Sequence, residues 1–284
     1  MVSCMLNECF SLYKKASLSF LEVSFVLYFL MFLILLKTRS IKLSKTWFFP
    51  LFAIYVGLWL STLFGIFLDG EISSYLSEES IFSLILEAFN PFNGQGKVFY
   101  GFYFGLILGI IVMNFVTKQK SLSMFLNISA ISTSFLSFVG RIGCFFDGCC
   151  YGCPDSTFGI SFPKGTRAFR NLKETALVVG NATVPLLPTQ LISAFGNLAI
   201  FLFLLILFCK NKTRYPYFYF FAQMFLYGIG RFTIEFFRID PREFWGPLSM
   251  SQWISLVLIA AGLVFFIKNR KEIAESFKNS SVRP

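Results

Sequence analysis

The sequence predicts an all-α polytopic integral membrane protein of about seven transmembrane helices, N-terminus outside and C-terminus in the cytoplasm, with a small extracytoplasmic head. Three observations predict it. Hydrophobic residues fill 56% of the 284 positions and charged residues only 14%, whereas a soluble domain carries about 25% charged residues. Several apolar runs reach the roughly 20 residues that a helix needs to cross a bilayer. The loops between those runs alternate between basic and acidic or mixed, the pattern that orients membrane helices.

Each element follows in order. The first apolar run covers about 16–36. It is too long for a cleavable signal peptide, and no small-residue cleavage site follows it, so it reads as the first span. A basic loop with Lys37, Arg39, Lys42 and Lys45 leads to the second span at about 47–68, and the acidic connection DGEISSYLSEES follows. The third span, about 98–116, is separated by Lys118 and Lys120 from the fourth, about 122–143. Residues 144–186 are rich in Gly, Pro, Asp and Thr and read as a head of turns and short elements. The fifth span, about 187–209, is followed by Lys210, Lys212 and Arg214, and the sixth, about 215–237, by the short IDPREFWGP. The seventh, about 248–267, ends in the basic tail KNRKEIAESFKNSSVRP. Lys14 and Lys15 fall on the outer side, against the rule. The net charge of +10 is thus assigned to cytoplasmic loops facing membrane lipid, and no nucleic-acid partner is expected. With no repeats and no second large domain, residues 1–284 read as one transmembrane domain with 144–186 inserted.

Two stretches carry unexpected polar residues. GRIGCFFDGCCYGCPD, Gly140 to Asp155, holds Arg141 and four of the seven cysteines. GIGRFTIEFFRID, Gly228 to Asp240, lies in the sixth span. On a helix Arg231, Glu235 and Arg238 share one face, with Tyr227 a turn earlier. A charge at the centre of a membrane helix costs roughly 2.5–3.5 kcal/mol, so these groups need partners or a wet cavity. Glu235 pairing with either arginine leaves one positive charge, and Arg141 in the same outer layer adds a second. One reading is a structural ion-pair ladder, or arginines snorkelling to headgroups. The other is a pocket for an anion, most simply a phospholipid phosphodiester, because a guanidinium fork binds phosphate bidentately and stays charged when desolvated. The charges gather in one layer and do not form a path across, which argues against a transporter.

These residues resemble the prolipoprotein diacylglyceryl transferase family. The match in its fourth-span signature is Gly140, Arg141, Gly143, Phe145, Gly148, Tyr151 and Gly152, followed by FGISFP. The sixth-span pattern is matched by Arg231, Phe232, Glu235 and Arg238. PTQLISA with Gln190 and LSMSQWIS with Gln252 resemble blocks that open the fifth and seventh spans. The resemblance implies a bacterial enzyme of the cytoplasmic (inner) membrane, its active site facing the outer leaflet. It would move the diacylglyceryl group of phosphatidylglycerol onto the lipobox cysteine thiol of a preprolipoprotein and release glycerol phosphate. It implies that Arg141 and Arg231 bind the phosphate, that Glu235 orients Arg231 or Arg238, and that Arg238 supports them. Tyr100 stands where many members carry a histidine. Gly140, Gly143, Cys144, Asp147, Gly148, Cys149, Tyr151, Gly152, Gln190, Tyr227 and Gln252 complete the expected substrate site. No cofactor is expected, and no metal is assigned.

The chain departs from the family at several points. It has no histidine. A tyrosine at position 100, with an ordinary pKa near 10 against about 8.5 for a thiol, is a poor base unless nearby arginines depress it; a hydrogen bond to substrate and plain aromatic packing are its two other readings. Cys144, Asp147, Cys149, Cys153 and Ser193 replace polar residues usual in the family. These changes leave open a lipid-dependent transferase with another acceptor (a glycan, a lipid or a small thiol), or a non-catalytic lipid-binding membrane protein. Cys144, Cys149, Cys150 and Cys153 admit disulfides, free thiols or zinc. Disulfides in an oxidising compartment would staple a head expected to lack its own core, for at most about 3 kcal/mol.

Overall fold

Seven segments are predominantly apolar, and a helix satisfies its own backbone hydrogen bonds, as a segment in lipid requires. The computed structural model, which describes residues 20–39, 46–68, 99–210, 213, 215–242 and 244–281, forms a helix at each. They are α1 (Phe20–Thr38), α2 (Phe49–Leu68), α3 (Phe99–Val116), α4 (Leu122–Asp147), α6 (Thr189–Cys209), α7 (Phe218–Ile234) and α8 (Met250–Lys268). Four of them, α3, α4, α6 and α8, are long and apolar enough to cross a membrane, as expected of a multi-pass membrane protein. The acidic connection 69–80, Lys14, Lys15, Lys42, Lys45, Lys212 and Arg214 lie outside the described residues.

The chain divides into two compact units. In the unit of residues 28–130, α2 and α3 approach through small residues. Gly101, Gly105 and Gly109 recur one turn apart along α3. A Cβ on Gly105 would lie 2.5 Å from Gly57 Cα, on Gly101 2.6 Å from the Leu60 carbonyl, and on Gly109 2.7 Å from Ala53 Cα. This is the small-xxx-small packing by which membrane helices gain van der Waals contact without a hydrophobic driving force. Phe49 packs on Phe125 with ring centroids 4.6 Å apart, and the buried Tyr28 hydroxyl meets Ser129 Oγ at 2.8 Å.

The other unit, residues 1–27 with 131–284, carries the head. The head contains α5 (Arg167–Leu172) and a hairpin of β1 (Val178–Val179) with β2 (Ala182–Thr183). Contrary to expectation it has its own core, of Phe145, Tyr151, Phe162, Ala168, Leu172 and Leu186. These positions follow neither a helical nor an alternating period, so the sequence pattern hid them. Below the head, α7 and α8 pack closely: Phe221 stacks on Phe265 at 4.1 Å, and a Cβ on Gly262 would fall 2.7 Å from Phe225 Cβ. A second short hairpin, β3 (Phe244–Trp245) with β4 (Leu248–Ser249), joins them. The basic tail forms a helix, α9 (Arg270–Ser281). It buries Ile273 and sets Phe277 edge-on to Phe218, centroids 5.4 Å apart. Glu272 accepts a hydrogen bond from Tyr215 Oη at 2.6 Å.

The glycine contact gives a testable outcome. Gly105→Val forces α3 off α2 and lowers stability by about 1–3 kcal/mol, read as a lower melting temperature in detergent. Gly196→Ala, where a Cβ meets nothing within 4 Å, leaves the melting temperature unchanged.

Candidate functional site

The site begins at the end of α4. Arg141 lies near the end of the helix, and the chain turns at Gly148, whose φ of +72° is the left-handed cap that glycine adopts without penalty. The N–H groups of Gly148 and Cys149 reach the Cys144 carbonyl at 3.0 and 3.2 Å. Cys150 also takes a left-handed backbone, φ +60°, unusual for a residue with a side chain. The Thr189 hydroxyl donates to the Cys150 carbonyl, and Gln190 Nε2 donates to the Cys149 carbonyl at 2.6 Å.

Residues 151–153 then run beside residues 237–239 as a short antiparallel pair, with Gly152 opposite Arg238. The Cys153 N–H donates to the Phe237 carbonyl at 2.9 Å, and the Ile239 N–H to the Tyr151 carbonyl at 3.3 Å. A Cβ at Gly152 would lie 2.8 Å from the Leu187 carbonyl oxygen and 2.9 Å from that of Phe237. This pairing joins the two arginine motifs, and it corrects one expectation. Arg238 does not stand on the helical face of Arg231 and Glu235, because α7 stops at Ile234, a 3-10 turn covers Glu235–Phe237, and Arg238 is extended. The extended backbone is what frees this segment to pair with residue 152.

Glu235 organises the cations. Its side chain is 2% exposed and contacts Arg231, Arg238 at 3.3 Å and Arg242 at 2.8 Å. Ser249 Oγ donates to it at 2.9 Å. Arg231 also donates to Ser251 Oγ at 2.9 Å, and Arg238 forms a two-point pair with Asp240 at 2.9 and 2.7 Å. Among the described residues three arginines face two carboxylates here, which leaves one positive charge; Arg242 was not anticipated. It sits in the IDPREFWGP connection, where its sequence position alone reads as an ordinary loop charge.

Arg141 differs from these. Among the described residues it has no carboxylate partner, and its charge faces Cys150, Cys144, Tyr227 and Cys149. Cys150 lies in the field of both Arg238 and Arg141. Arg141 and Arg238 therefore share Cys150 as a neighbour, while Arg231 is engaged by Glu235 and Ser251. Cys144, Cys149, Cys150 and Cys153 are free thiols, so among the described residues no disulfide staples the head. The sulfurs of Cys144, Cys149 and Cys150 lie within 4.8 Å of one another. Hydrogen bonds from Cys144 and Cys149, with the fields of Arg238 and Arg141, hold the Cys150 thiol well below its ordinary range against the opposing effect of burial. The same hydrogen-bonded cluster pushes Cys149 up.

Other expected site residues serve the protein itself. Asp147 pairs with Arg167 of the head at 2.8 Å. Tyr151 is in the head core. Gln252 forms a capping box with Ser249 at the start of α8, and Gln190 holds the Cys149 carbonyl. Gly143 is packed against Phe20, 2.6 Å from a built Cβ, whereas Gly140 faces open space. Tyr227 is buried on α7. Tyr100 is buried near the start of α3, in the unit of residues 28–130.

The family model for prolipoprotein diacylglyceryl transferase matches residues 20–268. The chain belongs to the prolipoprotein diacylglyceryl transferase family. It is 36% identical over 187 residues to phosphatidylglycerol–prolipoprotein diacylglyceryl transferase 2 of Clostridium perfringens, covering 64% of this chain and 67% of that protein. It is 33% identical over 176 residues to the transferase of Clostridium tetani, covering 61% and 64%. With that of Finegoldia magna it shares 31% over 185 residues, covering 64% and 65%. The chain thus aligns with about two thirds of each relative's length. The activity implied by the motifs of this chain is the one that the family and relatives are named for.

Because Glu235 is buried against three guanidiniums, Glu235→Gln leaves Arg231 and Arg242 without their carboxylate and costs about 3–5 kcal/mol. Chemical unfolding in detergent reads this as an earlier midpoint. An unchanged midpoint would mean that the arginines are solvated.

Proposed function

We propose that the protein transfers the diacylglyceryl group of phosphatidylglycerol to the lipobox cysteine thiol of a preprolipoprotein, releasing glycerol phosphate. It does so in the bacterial cytoplasmic membrane, crossing it seven times with the N-terminus outside. The site faces the outer leaflet, and the lipid enters sideways. The observation that carries this reading is Arg141, a cation without a carboxylate partner among the described residues, beside a thiol it shares with Arg238. A guanidinium not committed to a carboxylate is available to a phosphodiester.

When the thiol sulfur attacks the glyceryl carbon, the carbon–oxygen bond to phosphate breaks, and the departing phosphate monoester gains negative charge. Arg141 meets that charge. Pre-positioned cations of this kind are commonly the largest catalytic contribution. Arg238, held by Glu235 and Asp240, reinforces the field, and Arg231 keeps Glu235 in place. Gly140 leaves the backbone beside Arg141 uncovered.

The test uses purified protein in vesicles with labelled phosphatidylglycerol and a lipobox peptide. Arg141→Ala lowers glycerol phosphate release about 100–1000-fold without changing membrane insertion. Arg141→Lys recovers only part, since an ammonium is a point charge without the bidentate fork. Full release from Arg141→Ala overturns the assignment.

A further inference from the structure

The three-thiol cluster is unused by the reaction above. Cys144 comes from the last turns of α4, the cap at Gly148 turns the chain back, and the Cys149 N–H returns to the Cys144 carbonyl at 3.2 Å. The left-handed backbone at Cys150 completes the reversal, fixed from outside by Thr189 and Gln190. The sulfurs that result are half-buried, free and within 4.8 Å of one another. Thiolates bound to one tetrahedral zinc at about 2.3 Å each lie about 3.8 Å apart, so a slight contraction closes the site. Cys153 is not part of the trio, and the chain has no histidine to serve as a fourth ligand. Three protein ligands with one position open is the arrangement of catalytic zinc, whereas structural sites are closed by four. Three thiolates about a divalent ion leave one negative charge, and Arg141 and Arg238 stand where they offset it.

We propose that Cys144, Cys149 and Cys150 form a three-thiolate site for a thiophilic divalent ion, zinc by preference, whose open position takes the acceptor thiol. This rests on the transfer reading above and supplies what that reading lacks, a way to ionise the acceptor without histidine. A thiol bound to zinc is deprotonated outright. Its proton passes to solvent, and the sulfur's electron pair forms the bond to the glyceryl carbon. The pair of the breaking carbon–oxygen bond leaves on the phosphate, which takes up a proton from solvent. No oxidant or reductant is needed.

The test begins with metal content. Full-length protein purified in detergent with its thiols reduced carries one zinc per chain by elemental analysis. Cys144→Ser, Cys149→Ser and Cys150→Ser each lose it, and Cys209→Ser keeps it. Replacing zinc with cobalt gives a sulfur-to-cobalt charge-transfer band, which intensifies when a lipobox peptide is added and is unmoved by a peptide with serine at the lipobox position. Removing the metal lowers transfer about 100-fold, the scale of losing nucleophile activation, and zinc restores it. Reduced wild-type protein that binds neither zinc nor cobalt overturns the site. A cobalt band indifferent to the peptide thiol, or full transfer by metal-free protein, overturns its role toward the acceptor while the transfer reading stands. The expected cobalt spectra without any glycerol phosphate release support the site and overturn the transfer reading.

Discussion

A carboxylate buried among three guanidiniums is the constraint on which this half of the molecule depends. Taking ions out of water costs several kcal/mol each unless every one keeps its partners, so Glu235 dictates the course of the chain around it. α7 gives way to a 3-10 turn at Glu235, Arg238 leaves the helix, and the connection folds back so that Arg242 reaches the same carboxylate. Ser249 serves twice: its hydroxyl accepts from the Gln252 N–H at the start of α8 and donates to Glu235. The ion cluster therefore fixes where one membrane helix ends and the next begins.

From that break follows the meeting of the two motifs. Residues 237–239 can pair with 151–153 only because they are extended, and the approach tolerates no side chain at position 152. The pairing sets Cys150 between the charges of Arg141 and Arg238. Arg231, which the family resemblance puts beside Arg141 on the phosphate, is engaged by Glu235 and Ser251. A cation needed to stabilise a buried anion is less free to bind a substrate's anion.

The helices were legible because lipid imposes one requirement on every residue of a span, and a run of apolar residues such as 189–209 states it directly. The arginine motifs were legible for the same reason, as exceptions within apolar runs. The head core was not, since Phe145, Phe162 and Leu186 are scattered through turns with no period to betray them. Arg242 was missed because nothing local distinguishes it from a solvated loop charge. The tail was read by its charge, but Ile273 and Phe277, four residues apart, put one face of a helix against Phe218. The thiol cluster lay between these cases: the cysteines were conspicuous, but the trio that forms depends on two left-handed residues in succession of turn, Gly148 and Cys150, that spacing alone does not reveal.

The helix at the C-terminus gives α7 a second anchor. At its entrance α7 is tied through Tyr215, Phe218 and Thr213 to Glu272, Phe277 and Ser276, and at its exit it is tied by the ion cluster. A rod clamped at both ends neither slides nor rotates cheaply, so piston-like gating by this helix is disfavoured. Any opening around the arginines has to come from the movement of other walls.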